Sequence, residues 1–266
     1  MNKPDFLIIG AIKGATTSIY DALLKHPKID GPTIKEINYF SNEKKFKLGL
    51  DWYFSQFPER ADGGLLCEAT PNYASSTKYL LRIKNQLGKV KIIYNIRNPV
   101  ERFISQYLHF RAMNEIFNDP DKKQDILSKH SWAARVFDNP DVKWRGESNL
   151  FSDIVLNKNS AYYSNGEYIV KIKIIQDLFG KDNLHIVEFS DLVNDPNLEI
   201  SKILTFLNLD INYLTFGRLN DRSFWSTYYD ASSEIDDQSV NIIKNHYKPY
   251  NEMLENYLER NLNWNS

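Results

Sequence analysis

The first eighteen residues constrain the fold more than any other stretch. Phe6-Leu7-Ile8-Ile9 is a short, unbroken apolar run closed by Gly10. A run of that length without polar alternation reads as a buried strand, the kind found inside parallel sheets. A small-residue loop follows, Gly10-Ala11-Ile12-Lys13-Gly14-Ala15. Thr16-Thr17-Ser18 then opens a helix with Ile19, Ala22 and Leu23 on one face, ended by His26-Pro27. Strand, tight loop and helix in that order make backbone N–H groups converge on a helix N-terminus, where partial positive charge favours an anion. Two readings stay open. One is an anion site holding Lys13, with three hydroxyls in the first helical turn. The other is a plain strand-to-helix turn capped by Thr16. The spacing departs from the G-x-x-x-x-G-K-[ST] loop of nucleotide triphosphatases, because Lys13 precedes Gly14. A G-x-G-x-x-G loop fails at Ala11-Ile12.

Further strands are expected at Leu65–Glu68, at Val90–Ile96 (the strongest signal) and at Leu184–Phe189. Between them lie helical stretches at 79–87, 100–112, 166–179 and 199–207, and a long C-terminal helix at 237–260 interrupted at Lys248-Pro249. Strands alternating with helices specify an α/β fold: a central, mostly parallel β-sheet flanked by helices on both faces. Without repeats or linkers, residues 1–266 form one domain, and 114–150, with two Asp/Asn-Pro turns, is read as an insertion or cover segment.

Hydrophobic residues make up 42% of the chain, enough apolar surface to exclude disorder. A net charge of −1 excludes a general nucleic-acid coat but not a local basic pocket. Cys67 is the one cysteine, so no internal disulfide forms, and the five scattered histidines give no metal spacing. No apolar run approaches the ~20 residues of a membrane span. A soluble, cytoplasmic protein without metal is expected.

A second constellation stands at the end of the strongest strand. Arg97 follows Ile96 directly, Asn98-Pro99 starts the next helix, and Ser105 lies eight residues after the arginine. Ligands of open α/β sheets bind at the carboxyl ends of strands, where an arginine can grip a phosphate with two parallel bonds. Taken alone, Arg97 also reads as a surface residue paired with Glu101, and Ser105 as a solvent-facing serine.

Taken together, four stretches resemble the sulfotransferases that use 3′-phosphoadenosine 5′-phosphosulfate (PAPS), in the branch of the heparan sulfate N- and 3-O-sulfotransferases and their bacterial relatives. Residues 6–18 are similar to the 5′-phosphosulfate loop of that family, and Lys35-Glu36-Ile37-Asn38-Tyr39-Phe40 to its K-E-x-x-[FY]-F segment. Glu68-Ala69-Thr70-Pro71-Asn72-Tyr73 resembles E-[AK]-[ST]-P-x-Y, and Arg97 to Tyr107 resembles the 3′-phosphate motif R-x-P-x-x-R-x-x-S-x-Y. His246 to Asn251, with Leu254 and Trp264, is similar to the family's C-terminal helix.

The resemblance implies sulfuryl transfer from PAPS, releasing 3′-phosphoadenosine 5′-phosphate (PAP), to an acceptor hydroxyl or amine. Lys13, Gly14, Ala15, Thr16, Thr17 and Ser18 would hold the 5′-phosphosulfate, with Lys13 also catalytic at the leaving oxygen. Arg97 and Ser105 would hold the 3′-phosphate. Glu36 would be the general base, with Glu68 its rival, and Lys35 and Glu68 would lie near the acceptor; Arg102 is expected in a structural salt bridge. The acceptor is expected to be a carbohydrate, a glycoconjugate or another small molecule, with rings at Trp52-Tyr53-Phe54, Trp132, Trp144, Tyr162-Tyr163 and Phe224-Trp225 offered for stacking. The chain departs from the family in three ways. Ala15 replaces a glycine, which requires a negative φ there. Asn38 and Ser41 stand where the 3-O enzymes carry His and Asp, and the basic loop over the nucleotide has only Phe216 to Arg222 as counterpart. A P-loop kinase or NTPase and a non-catalytic nucleotide- or glycan-binding protein are the competing readings.

Overall fold

The computed structural model of the chain describes residues 2–60, 62–129, 148–211 and 229–264. Five strands form one parallel sheet: β1 (Phe6–Ile8), β2 (Ile29–Asp30), β3 (Leu65–Ala69), β4 (Lys91–Ile96) and β5 (Leu184–Glu188), in the order β2-β3-β1-β4-β5. The chain leaves central β1 towards one edge, fills β2 and β3, then crosses to β4 and β5. The place where it reverses, at the carboxyl ends of β1 and β4, is where such sheets open a crevice.

Both faces of the sheet are covered, which explains the uninterrupted apolar strands. Leu7, Leu66, Ile92, Tyr94 and Ile96 point to one side. There they pack on Leu80, Ile83 and Leu87 of α4 (Thr77–Leu87) and on Ile169, Ile172 and Ile175 of α9 (Tyr168–Phe179). Phe6, Ile8, Cys67, Ala69, Ile93 and Val187 point to the other. They meet Ile19 and Leu23 of α1 (Thr16–Leu23) and Ile200, Ile203 and Leu204 of α11 (Pro196–Leu207). A third cluster joins α5 (Pro99–Asn118), through Val100, Phe103 and Tyr107, to Phe151 and Val155 of α7 (Phe151–Leu156) and to Ile243 and Tyr247 of α12 (Asp237–Leu258). The other helices are α2 (Glu43–Phe46), α3 (Gly49–Phe54), α6 (Pro120–Lys129), α8 (Ala161–Ser164) and α10 (Phe189–Asn194).

Several boundaries differ from the sequence reading. α5 continues past Ala112 to Asn118, because buried Met113 and Ile116 extend its apolar face. With α6 it makes much of the stretch read as an insertion helical, while 130–147 lie outside the described residues. α12 runs through Pro249 without interruption. Pro249 and Asn245 both face solvent, so the carbonyl that the proline leaves without its helical partner can be hydrated. The two-residue edge strand β2 carries no sequence pattern and exists through its pairing with β3.

Candidate active site

The loop after β1 is fastened to β4 by its backbone. Ala11 N–H donates to the Asn95 carbonyl at 2.8 Å and Asn95 N–H to the Gly10 carbonyl at 2.8 Å. The fully buried Asn95 side chain donates from Nδ2 to the Gly14 carbonyl, also at 2.8 Å. A Cβ at Gly10 would stand 3.1 Å from Ala74 Cβ, the Pro71 carbonyl and the Tyr94 ring, so a side chain there would have to push its neighbours aside. Lys13 and Ala15 both take left-handed backbone, at φ +66°. The negative φ expected at Ala15 is therefore not found, and its methyl is carried at a cost of about 1 kcal/mol.

Ala15, not Thr16, is the residue before the first turn of α1, and no side chain caps that turn. Thr16 is instead the first helical residue and is 5% exposed, with Thr17 exposed and Ser18 half-buried. The turn capped by Thr16 is thus corrected. Among the described residues the first N–H groups of α1 have no capping side chain, and orphan helix donors are met by water or ligand.

Arg97 lies against this loop. Its Nη1 approaches the Lys13 carbonyl at 3.4 Å, while Nε and Nη2 donate to Glu101 Oε2 at 3.2 and 2.8 Å. The Phe189 ring lies under the guanidinium, its centroid 4.6 Å from Cζ. The expected pairing with Glu101 is found, but the surface position expected with it is not, for Arg97 is 4% exposed. Ser105, half-buried, lies two turns into α5. Helical spacing puts it on one face with Glu101 and His109. Glu101 touches Arg97, and His109 feels the charge of Lys13, so that face looks towards the loop. His109 was passed over in the sequence, although its i+4 step from Ser105 marks it. Burial first, and then Lys13, pull its pKa down to about 3, so the ring is neutral.

The second half of the site is built on β3. Glu68 is fully buried, and its carboxylate accepts from the hydroxyls of Tyr53 at 2.5 Å, Thr70 at 2.6 Å and Tyr73 at 2.8 Å. Burial pushes its carboxyl above the usual glutamate range, against the pull of those three donors, and the charge of Glu36 pushes the same way. Thr70 Oγ1 also receives the Asn38 N–H, at 3.4 Å, and Asn38 Nδ2 donates to the Glu36 carbonyl at 2.8 Å. Glu36 and Asn38 are both left-handed, at φ +63° and +59°. Buried Ile37, Tyr39 and Phe40 pin this segment to the core. Glu36 projects outward, its carboxylate 2.6 Å from Lys35 Nζ and its side chain 46% exposed. The two halves adjoin: Thr70 N–H donates to the Ile8 carbonyl at 3.0 Å and Ala74 N–H to the Ile9 carbonyl at 2.9 Å.

Two expectations change. Arg102 is fully buried, and among the described residues no carboxylate pairs with it; it donates to Gln106, to the Tyr162 carbonyl and to Tyr247 Oη. Tyr53, Tyr162 and Tyr163 are core rings rather than stacking platforms, because their neighbours enclose them. Trp132, Trp144, Phe224-Trp225 and the 216–222 loop lie outside the described residues. Among the described residues, no group of three or more His, Cys, Asp or Glu is placed to hold a metal, and no helix is long and apolar enough to cross a membrane.

The family model described as the sulfotransferase domain matches residues 3–263. The membrane-associated sulfotransferase kil1 of Dictyostelium discoideum is 23% identical over 98% of this chain and 66% of its own length. The bifunctional heparan sulfate N-deacetylase/N-sulfotransferase 4 of Mus musculus is 25% identical over 97% of this chain, which spans 30% of that protein. A crystal structure of a sulfotransferase from Alicyclobacillus acidocaldarius superposes with a TM-score of 0.66 at 21% identity, covering all of both chains, and so shares the fold. With the model matched over nearly its whole length, the chain belongs to the sulfotransferase domain family.

Proposed function

We propose that the chain transfers a sulfuryl group from PAPS to a hydroxyl or amine of a carbohydrate or other small acceptor. The observation that carries this reading is the junction of the β1 loop and Arg97: an uncapped helix N-terminus with a lysine beside it, in contact with a buried arginine. PAPS carries two anionic groups on one ribose, so their holders must be neighbours, and here they touch. The donor set therefore fits the nucleotide. The N–H groups of residues 13–18, with the Thr16 and Thr17 hydroxyls, take the 5′-phosphosulfate. Arg97 and Ser105 take the 3′-phosphate.

When bound, PAPS supplies an activated sulfuryl group on a phosphate leaving group. Lys13 faces the oxygen on which charge grows as its bond to sulfur breaks. Glu36 takes the acceptor proton as the acceptor–sulfur bond forms; of the two carboxylates it is the exposed one. Glu68, enclosed by three hydroxyls, positions rather than reacts: through Thr70 and Asn38 it holds the backbone that carries Glu36. Lys35 balances Glu36 and lies on the acceptor side.

The experiment is a transfer assay with labelled PAPS against a panel of sugars and small alcohols and amines, on wild type and Glu36→Gln. Transfer lost in the variant with PAP affinity retained supports the reading. PAP binding without transfer to any acceptor would favour a non-catalytic protein.

A further inference from the structure

The buried guanidinium of Arg97 raises a question that the nucleotide reading leaves open: what satisfies it between turnovers. A guanidinium at 4% exposure is costly unless hydrogen-bonded. Glu101 takes part in that role, and towards Nε and Nη2 it offers one oxygen. Nε and Nη2 both land on Oε2, at 3.2 and 2.8 Å. The edge of the guanidinium engaged there is the one that would meet a phosphate with two parallel bonds. Phe189 beneath and the Lys13 carbonyl beside it hold the plane of the group, so that edge cannot simply turn to a second acceptor.

Resting on the reading of Arg97 as the 3′-phosphate holder, we infer that Glu101 is an internal stand-in for that phosphate and limits how tightly the spent nucleotide is kept. Two features suit it to yield. Its side chain is 54% exposed, so it stands on the solvent side of the pair and not in the core. It also lies in the first turn of α5, whose N-cap Asn98 accepts from the N–H groups of Val100 and Glu101. A carboxylate is favourable at that end of a helix in either position. A phosphate dianion offers separate oxygens to Nε and Nη2 and displaces the single carboxylate oxygen. The displaced Glu101 stays close by as a like charge, so binding of the 3′-phosphate is weakened and its release eased.

The test is calorimetric titration of the full chain with PAP and with adenosine 5′-phosphosulfate, which lacks the 3′-phosphate. Glu101→Gln keeps an acceptor for Arg97 and removes only the charge. PAP should bind about two- to fivefold more tightly to E101Q, the scale of a half-exposed ion pair. Affinity for adenosine 5′-phosphosulfate should change less than twofold. Unchanged or weaker PAP binding in E101Q would overturn the inference and make Glu101 a mere orienting partner. Arg97→Ala separates this from the wider reading. If R97A still prefers PAP to adenosine 5′-phosphosulfate as wild type does, Arg97 is not the 3′-phosphate holder and both fall.

Discussion

Replacing Thr70 with valine tests the anchoring role of Glu68. Thr70 Oγ1 donates to Glu68 Oε1 at 2.6 Å and receives the Asn38 N–H at 3.4 Å. Valine keeps the shape and removes the hydroxyl. A buried hydrogen bond to a charged group contributes about 1.5–3 kcal/mol, and the bond from Asn38 is long enough to add little. The loss should therefore be about 2–3 kcal/mol near neutral pH, within a typical stability of about 5–15 kcal/mol, so the variant stays folded. Its pH dependence is the sharper readout. Burial raises the Glu68 pKa in the folded state, so between the unfolded and folded values the native protein holds the extra proton. Stability from this group is thus full below the ordinary glutamate pKa and is lost as pH rises through the folded value. Thr70 is the first of the donors that hold that value down, so removing it extends the loss to higher pH. Urea denaturation of wild type and T70V from pH 4 to 8 should give a small difference at pH 4 that widens towards pH 8. A difference that stays constant across the range would refute an ionising Glu68 held by Thr70.

Other perturbations follow from the same geometry. Lys13→Ala should lower kcat about 100-fold or more in the labelled-PAPS assay, the usual scale for one lost transition-state donor; a change in KM alone would remove Lys13 from the leaving oxygen. Glu68→Gln should lower kcat less than Glu36→Gln does, with PAP affinity by calorimetry unchanged in both; the reverse order would exchange their roles. Pro249→Ala restores a helical N–H on the exposed side of α12 and should raise stability by about 1–3 kcal/mol, read as a higher melting temperature; no gain would mean that the carbonyl of Asn245 loses nothing to the proline.

How much of this was legible in the sequence follows from which interactions are local. Phe6 to Ile8 announces a buried parallel strand because every side chain there must be apolar when both sheet faces are covered, and all three are fully buried. Asn98-Pro99 announces the start of α5 because cap and proline act within one turn. What stayed hidden depends on partners far away in the chain. Nothing near Tyr53 says that its hydroxyl meets the Glu68 carboxylate, and nothing near Arg102 says that it donates to the Tyr162 carbonyl and Tyr247. Pattern also misjudges polar residues in the opposite direction. Glu36 and Glu68 look alike as residues, each in a motif with an aromatic ring nearby, yet one is 46% exposed as a side chain and the other is sealed. Their difference in burial is set by the sheet, since Glu68 lies within β3, paired with Leu7 of β1, whereas Glu36 stands on a left-handed turn outside the five strands. The strand can bury a carboxylate only by surrounding it with hydroxyls. The turn can present one only because Ile37, Tyr39 and Phe40 hold it down and Thr70 and Asn38 tie it back to the buried one. The proposed base and its proposed anchor, of the same residue type, are distinguished by burial alone, and burial is a property of the fold.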